Sequence, residues 1–132
     1  MRFIPTSVHG ILDYASGLLL IVAPWLLQFS NNGPATWVPV ALGISVIAYS
    51  LLTDYEAGVL PVIPMAVHLM IDAASGIFLA ASPWIFGFAD YVWLPHLALG
   101  LGEIAAAACT QTKRRGESLP SSLGQRATTM SR

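Results

Sequence analysis

Between residues 3 and 112 the chain has no lysine and no arginine. Its six basic residues are Arg2 at one end and Lys113, Arg114, Arg115, Arg126 and Arg132 at the other. Charged residues make up about a quarter of ordinary soluble domains; here they are 10%, against 55% hydrophobic. This scarcity excludes a water-solvated surface for most of the chain. Nucleic-acid binding is excluded as well, because the basic tail is short and carries no aromatic residue to stack on bases. A single cysteine, Cys109, rules out an intrachain disulfide; it sits in an apolar run, where it serves packing. No phosphate loop, zinc signature or activated nucleophile appears, so the chain reads as a non-enzyme and no cofactor is expected. With 132 residues there is room for one domain.

What the sequence has is long apolar stretches, at about 6–29, 37–53, 64–88 and 93–110. At 1.5 Å per residue each can cross a hydrocarbon core of about 30 Å, the second and fourth as short spans. The first is expected to stay in the mature protein and not to serve as a signal peptide: His9 and Asp13 interrupt its apolar part and no convincing small-x-small cleavage site follows. Turn-forming residues punctuate the breaks: Ser30-Asn31-Asn32-Gly33-Pro34, Asp54-Tyr55-Glu56-Ala57-Gly58 and Ala89-Asp90-Tyr91. Connections this short place consecutive helices side by side and antiparallel. The expected fold is all-α: a polytopic membrane protein of four transmembrane helices within residues 1–110. A polar, basic tail over 111–132 is expected to be disordered.

Lys and Arg near span ends stay on the cytoplasmic side, so both termini are expected in the cytoplasm and the chain in a cell membrane. Trp25 and Trp84 close the first and third spans, while Trp37 and Trp93 open the second and fourth. All four therefore gather at the opposite, outer interface, which tryptophan prefers. The expected partners are the lipid bilayer, anionic headgroups at Lys113, Arg114 and Arg115, and a second copy of the chain, since four short helices enclose little space.

Residues 5–29 align without a gap on 64–88, with 11 of 25 positions identical. The second helices align through Ala41-Leu42-Gly43 and Ala98-Leu99-Gly100. The chain is thus two tandem parallel hairpins, about 5–53 and 64–110, related by an axis along the membrane normal. Shared positions 9, 13, 16 or 17, 20 and 24 form one helix stripe, expected to face that axis. Ser16, Gly17, Ser75 and Gly76, with the small pairs Ala41/Ser45 and Ala98/Gly102, are expected to let backbones approach closely. Pro5, Pro39, Pro64 and Pro95 read as helix starts; Pro24 and Pro83 should bend or end their helices.

The first span ends Ala23-Pro24-Trp25 and the third Ser82-Pro83-Trp84. A Pro-Trp pair at the same point of two helical hairpins, completed to Ser-Pro-Trp in the second copy and carrying Ala23 for the serine in the first, resembles the SPW-repeat family of small membrane proteins, over about residues 5–110. The resemblance implies two transmembrane helices per repeat and leaves the activity open.

Ionisable groups inside a span cost about 3 kcal/mol each on insertion scales and need a partner or a purpose. His9 and Asp13 are four residues apart, as are His68 and Asp72, so each pair shares a helix face. Asp13, Asp72 and Glu103 lie at similar depth and are expected to form one buried cluster. With only histidines as cationic partners, at least one carboxyl is expected to be protonated. Three readings follow. The polar seam fixes helix register; or His9, Asp13, His68, Asp72 and Glu103 form a proton or ion path; or His9 and His68 bind a metal or haem between helices. Glu103 stands where the first copy has Val46, so the repeat does not require it. His96, beside Pro95, reads as an interfacial histidine.

Overall fold

The computed structural model describes residues 2–113; the tail expected to be disordered lies outside them beyond Lys113, as does the lipid contact expected of Arg114 and Arg115. Four α-helices follow in order: α1 (Thr6–Leu26), α2 (Pro34–Leu51), α3 (Met65–Ile85) and α4 (Leu94–Cys109). Three are long and apolar enough to cross a bilayer. The fourth, with 16 residues, is apolar but spans only about 24 Å. Ile11, Leu18, Ile44, Met70, Ile77 and Leu101 all point outward, so the bundle's surface is apolar and its solvent is lipid.

The helix ends explain the duplicated tripeptide. Pro83 has no N–H, which leaves the Leu79 carbonyl four residues earlier without its helical donor. The Ser82 hydroxyl donates to that carbonyl at 2.7 Å. The helix then closes: Phe86 N–H donates to Ser82 O, Gly87 N–H to Trp84 O, and Phe88 N–H to Pro83 O at 2.8 Å. This is a Schellman-type end. The first copy repeats it with Leu27, Gln28 and Phe29, although Ala23 offers no hydroxyl. The left-handed position is Gly87 (φ 68°) in one copy and Gln28 (φ 59°) in the other. The first and third helices therefore stop at Leu26 and Ile85, about three residues before the expected ends.

The second helix corrects another expectation. It begins at Pro34, whose fixed φ suits the first helical position, so Pro39 lies inside it. Asn31 organises the entry, its side-chain oxygen accepting from Gly33 N–H at 2.9 Å while its own N–H donates to Thr36 Oγ1 at 2.6 Å.

Each hairpin packs chiefly on itself, and glycines set the distance. A Cβ on Gly43 would lie 2.5 Å from Gly17 O, and one on Gly100 would lie 2.7 Å from Ala80 N and clash with Gly76 O. Gly17·Gly43 and Gly76·Gly100 are thus the close approaches. The expected pairs Ala41/Ser45 and Ala98/Gly102 face outward, and a Cβ on Gly102 meets nothing within 4 Å. The shared stripe is buried on both copies: His9, Asp13, Gly17, Leu20 and Pro24 on α1, and His68, Asp72, Gly76, Leu79 and Pro83 on α3.

Between the hairpins, single β-bridges join Ile4 to Thr110 and Thr53 to Ile63. These are equivalent pairs, offset by 59 residues on the first-helix side and 57 on the second, so the pseudo-twofold extends past the helices to Ile4 and Thr110. At the other end all four tryptophans are exposed, with Trp84 and Trp93 6.5 Å apart. His96 is not a surface histidine there. It is buried, held between Phe29 and Phe88 at 5.3 and 5.0 Å, and its Nε2–H donates to Ala35 O at 3.0 Å. Tyr91 OH donates to Phe29 O at 3.2 Å, a second tie between the repeats.

Candidate functional site

His9 and Asp13 on α1 meet His68 and Asp72 on α3 at the pseudo-twofold, with residue exposures of 1%, 5%, 0% and 5%. The pairing crosses between repeats. His9 Nε2 lies 3.2 Å from Asp13 Oδ1 and 3.0 Å from Asp72 Oδ2, and His68 Nε2 lies 3.0 Å from Asp13 Oδ2 and 3.1 Å from Asp72 Oδ2. Each imidazole thus touches both carboxyls, and the two rings stand edge to face at 5.4 Å. One nitrogen, two carboxyls and the other nitrogen close a four-membered ring of polar side chains inside an apolar bundle.

Threonines just past the ends of α2 and α4 orient the imidazoles. Thr53 Oγ1 lies 2.8 Å from His68 Nδ1, and Thr110 Oγ1 lies 2.9 Å from His9 Nδ1. Each threonine hydroxyl already donates its single proton to the carbonyl four residues back, Thr53 to Tyr49 O at 2.7 Å and Thr110 to Ala106 O at 2.6 Å. The threonine oxygens must therefore accept from Nδ1–H. This assigns the tautomer: in neutral imidazole the lone pair is on Nε2 and faces the carboxyls.

The carboxyls have further donors. Tyr49 OH donates to Asp72 Oδ1 at 2.6 Å. Ser50 Oγ and Tyr55 OH donate to Asp13 Oδ2 at 3.3 and 3.0 Å. Tyr55 arrives from the loop between the hairpins, and Gly10 makes its entry possible, since a Cβ there would lie 2.8 Å from the Tyr55 ring. The second copy has Leu69 at that position, and it packs against Tyr55 in the buried cluster with Met65 and Ala107. Thr6 OH to Glu56 Oε2 at 2.6 Å and Tyr14 OH to Ala57 O at 2.9 Å fasten the same loop. Burial foremost, with Asp13 beside it, pushes the Tyr55 phenol above its ordinary value, so it remains a donor.

Charge counting bounds what the quartet holds. No lysine or arginine lies between residues 3 and 112, so the two carboxylates are balanced by two protons shared with the two Nε2 atoms, or by one divalent cation. One ligand atom from each of the four side chains lies within 4.8 Å of all the others. Among the described residues His68 Nε2 makes no hydrogen bond of good geometry, despite its short distances to both carboxyls.

Glu103 stands apart from the quartet. Both its carboxyl oxygens are buried with no hydrogen-bond partner among the described residues, and it lines a cavity of about 370 Å³ that also reaches His9, Asp13 and Asp72. Asp13, Asp72 and Glu103 thus line one cavity, while the four-residue ring of close contacts is made by His9, Asp13, His68 and Asp72. Tyr49, Ser50, Thr53, Tyr55 and Thr110 were not expected at the site. Thr53 and Thr110 carried a signal, since they fall at equivalent positions of the repeat.

A family model described as the SPW repeat domain matches residues 7–110. No curated protein and no solved structure matches the chain.

Proposed function

This chain belongs to the SPW repeat family, and we propose that its His9–Asp13–His68–Asp72 quartet is a binding site for one divalent first-row transition metal ion in a non-enzymatic membrane protein. The observation that carries the reading is the convergence of two Nε2 lone pairs and two carboxyls in a buried space, each imidazole turned inward by a threonine oxygen at its other nitrogen. Metal-bound histidines are held in this way, by an acceptor on the nitrogen that does not bind. The nitrogen–oxygen separations are 3.0–3.2 Å, with Asp72 meeting both imidazoles through one oxygen and Asp13 through two; a small turn of the Asp13 carboxyl would let one oxygen of each aspartate and both nitrogens reach bonds of about 2.0–2.1 Å. Two nitrogens and two oxygens suit Zn²⁺, Mn²⁺, Fe²⁺ or Co²⁺.

Charge supports the same reading. One divalent ion replaces two protons at no net cost in charge, which matters where no other cation is near. The site lies toward the bundle end where Ile4 bridges Thr110; Arg2 and Lys113, next to the spans at that end, support a cytoplasmic orientation in a cell membrane. A reporter fused after residue 132 should be active only in the cytoplasm.

The test is calorimetric titration of Zn²⁺ into detergent-purified, metal-free protein in two buffers of different ionisation enthalpy. One ion should bind per chain with release of about two protons, and His9→Ala with His68→Ala should abolish binding. A wild-type protein that takes up no Zn²⁺, Mn²⁺, Fe²⁺ or Co²⁺ would falsify the reading.

A further inference from the structure

The duplication makes the cavity beside the quartet interpretable. With the second helices offset by 57 residues, Gly43 corresponds to Gly100, Ile47 to Ile104 and Thr53 to Thr110, and each pair makes equivalent contacts. Tyr49 then corresponds to Ala106. In one half the Tyr49 ring fills the space between α2 and α3, edge-on to His68 at 5.1 Å, and its hydroxyl donates to Asp72 Oδ1. In the other half Ala106 leaves that space open between α4 and α1, and the cavity lies there. Its rim is exposed and apolar, formed by Leu12, Ala15 and Leu19 on one side and Ala98 and Gly102 on the other. In a bilayer this mouth opens to lipid.

Asp13 and Glu103 face this cavity along with His9, Ser16 and Asp72, and the rest of its lining is apolar. Asp13 corresponds by the repeat to Asp72, whose Oδ1 takes the Tyr49 hydroxyl, and no phenol side chain stands at the equivalent position on α4; Asp13 Oδ1 meets His9 Nε2 at 3.2 Å. Glu103, which replaces Val46 of the first copy, contributes two buried carboxyl oxygens without a partner. We infer that the cavity receives the ring of a lipid-soluble phenol or hydroquinone on an apolar tail, its hydroxyl donating to Asp13 as Tyr49 donates to Asp72. The second hydroxyl of a hydroquinone answers Glu103, and the tail leaves between α1 and α4. The chain itself supplies the template, because one half holds as a tyrosine side chain what the other half takes from the membrane. The inference concerns Asp13 Oδ1 and Glu103 and does not depend on metal at the quartet.

The experiment compares hexylphenol, hexylhydroquinone and hexylbenzene on metal-free protein in mild detergent, by calorimetry or by shift of the thermal unfolding midpoint. The phenol should bind about tenfold more tightly than hexylbenzene, the contribution of one hydrogen bond to a buried carboxyl, and the hydroquinone more tightly again. Ala106→Tyr, which restores the missing ring, should lose phenol binding and melt higher than the wild type, and Glu103→Gln should weaken the hydroquinone more than the phenol. Equal binding of hexylphenol and hexylbenzene to the wild-type protein overturns the inference whether or not A106Y folds, since the cavity is then only a place for acyl chains. Unchanged phenol binding in a folded A106Y protein overturns it too.

Discussion

Replacing Thr53 by valine removes one oxygen and keeps the branched shape. That oxygen does two things: it donates to Tyr49 O at 2.7 Å and accepts from His68 Nδ1–H at 2.8 Å, in a site exposed to 1% or less. Loss of the first bond costs little, because the Tyr49 carbonyl belongs to a helix and its bond from the hydroxyl is an addition. Loss of the second strands a buried N–H, which costs about 1–3 kcal/mol. The imidazole can escape that cost by moving its proton to Nε2, but the lone pair then leaves the quartet. T53V should therefore be less stable by about 1–3 kcal/mol without metal, and should bind Zn²⁺ about 10–100-fold more weakly. T110V should behave alike, through His9. Thr→Ser keeps the oxygen and should recover most of both losses. The assays are chemical unfolding in mild detergent and chelator competition for Zn²⁺. If T53V and T53S are indistinguishable in both, the tautomer assignment is wrong and the argument for an inward lone pair fails with it.

Gly100→Ala drives a Cβ into Gly76 O and to 2.7 Å from Ala80 N, whereas Gly102→Ala meets nothing. G100A should lose about 1–3 kcal/mol by overpacking, and G102A should gain up to about 1 kcal/mol from helix propensity; equal unfolding midpoints would refute the glycine contacts. Ser82→Ala leaves the Leu79 carbonyl without its donor and should cost about 1 kcal/mol in the same unfolding assay, while Ser75→Ala should cost less. Tyr55→Phe tests the loop. Because the folded phenol titrates above its ordinary value of 10.0, its contribution to stability is full below about pH 10. Above it, the unfolded chain ionises first and the contribution falls by up to about 1.4 kcal/mol per pH unit. Wild type and Y55F should therefore converge in unfolding free energy as pH rises past 10; a constant difference would show that the phenol is not held protonated.

Much of the architecture was already present in one dimension. Apolar length and the absence of Lys and Arg through the middle of the chain require lipid as solvent, and turn chemistry divides the apolar stretches into four helices. The gapless match of 5–29 with 64–88 reveals the duplication. A period of three to four residues puts His9, Asp13, Gly17, Leu20 and Pro24 on one stripe, because residues at that spacing project from the same side of any helix. The tryptophans follow from the same logic, as their places at span ends need no knowledge of packing.

What periodicity omits is the rotation and separation of one helix against another, and the site depends on these. The i,i+4 spacing pairs His9 with Asp13, whereas packing also brings His9 to Asp72 and His68 to Asp13 across the axis. Thr53 and Thr110 sit at helix ends, where no stripe predicts a neighbour, and Tyr55 reaches Asp13 only because Gly10 leaves room for a folded loop. Small residues were legible, but Gly43 and Gly100 rather than Ala41/Ser45 and Ala98/Gly102 make the contact, since the helix face that meets its partner depends on crossing geometry. Glu103 was legible as an intramembrane acid. The cavity that it lines together with His9, Asp13 and Asp72 lies where Ala106 stands in place of the other half's Tyr49, a single difference in volume whose effect appears only when the two hairpins are packed. The sequence by itself therefore determined the solvent, the number of helices, the duplication and the buried stripe. The tertiary structure decided which side chains of that stripe touch, which nitrogen faces the carboxyls and where space is left beside them.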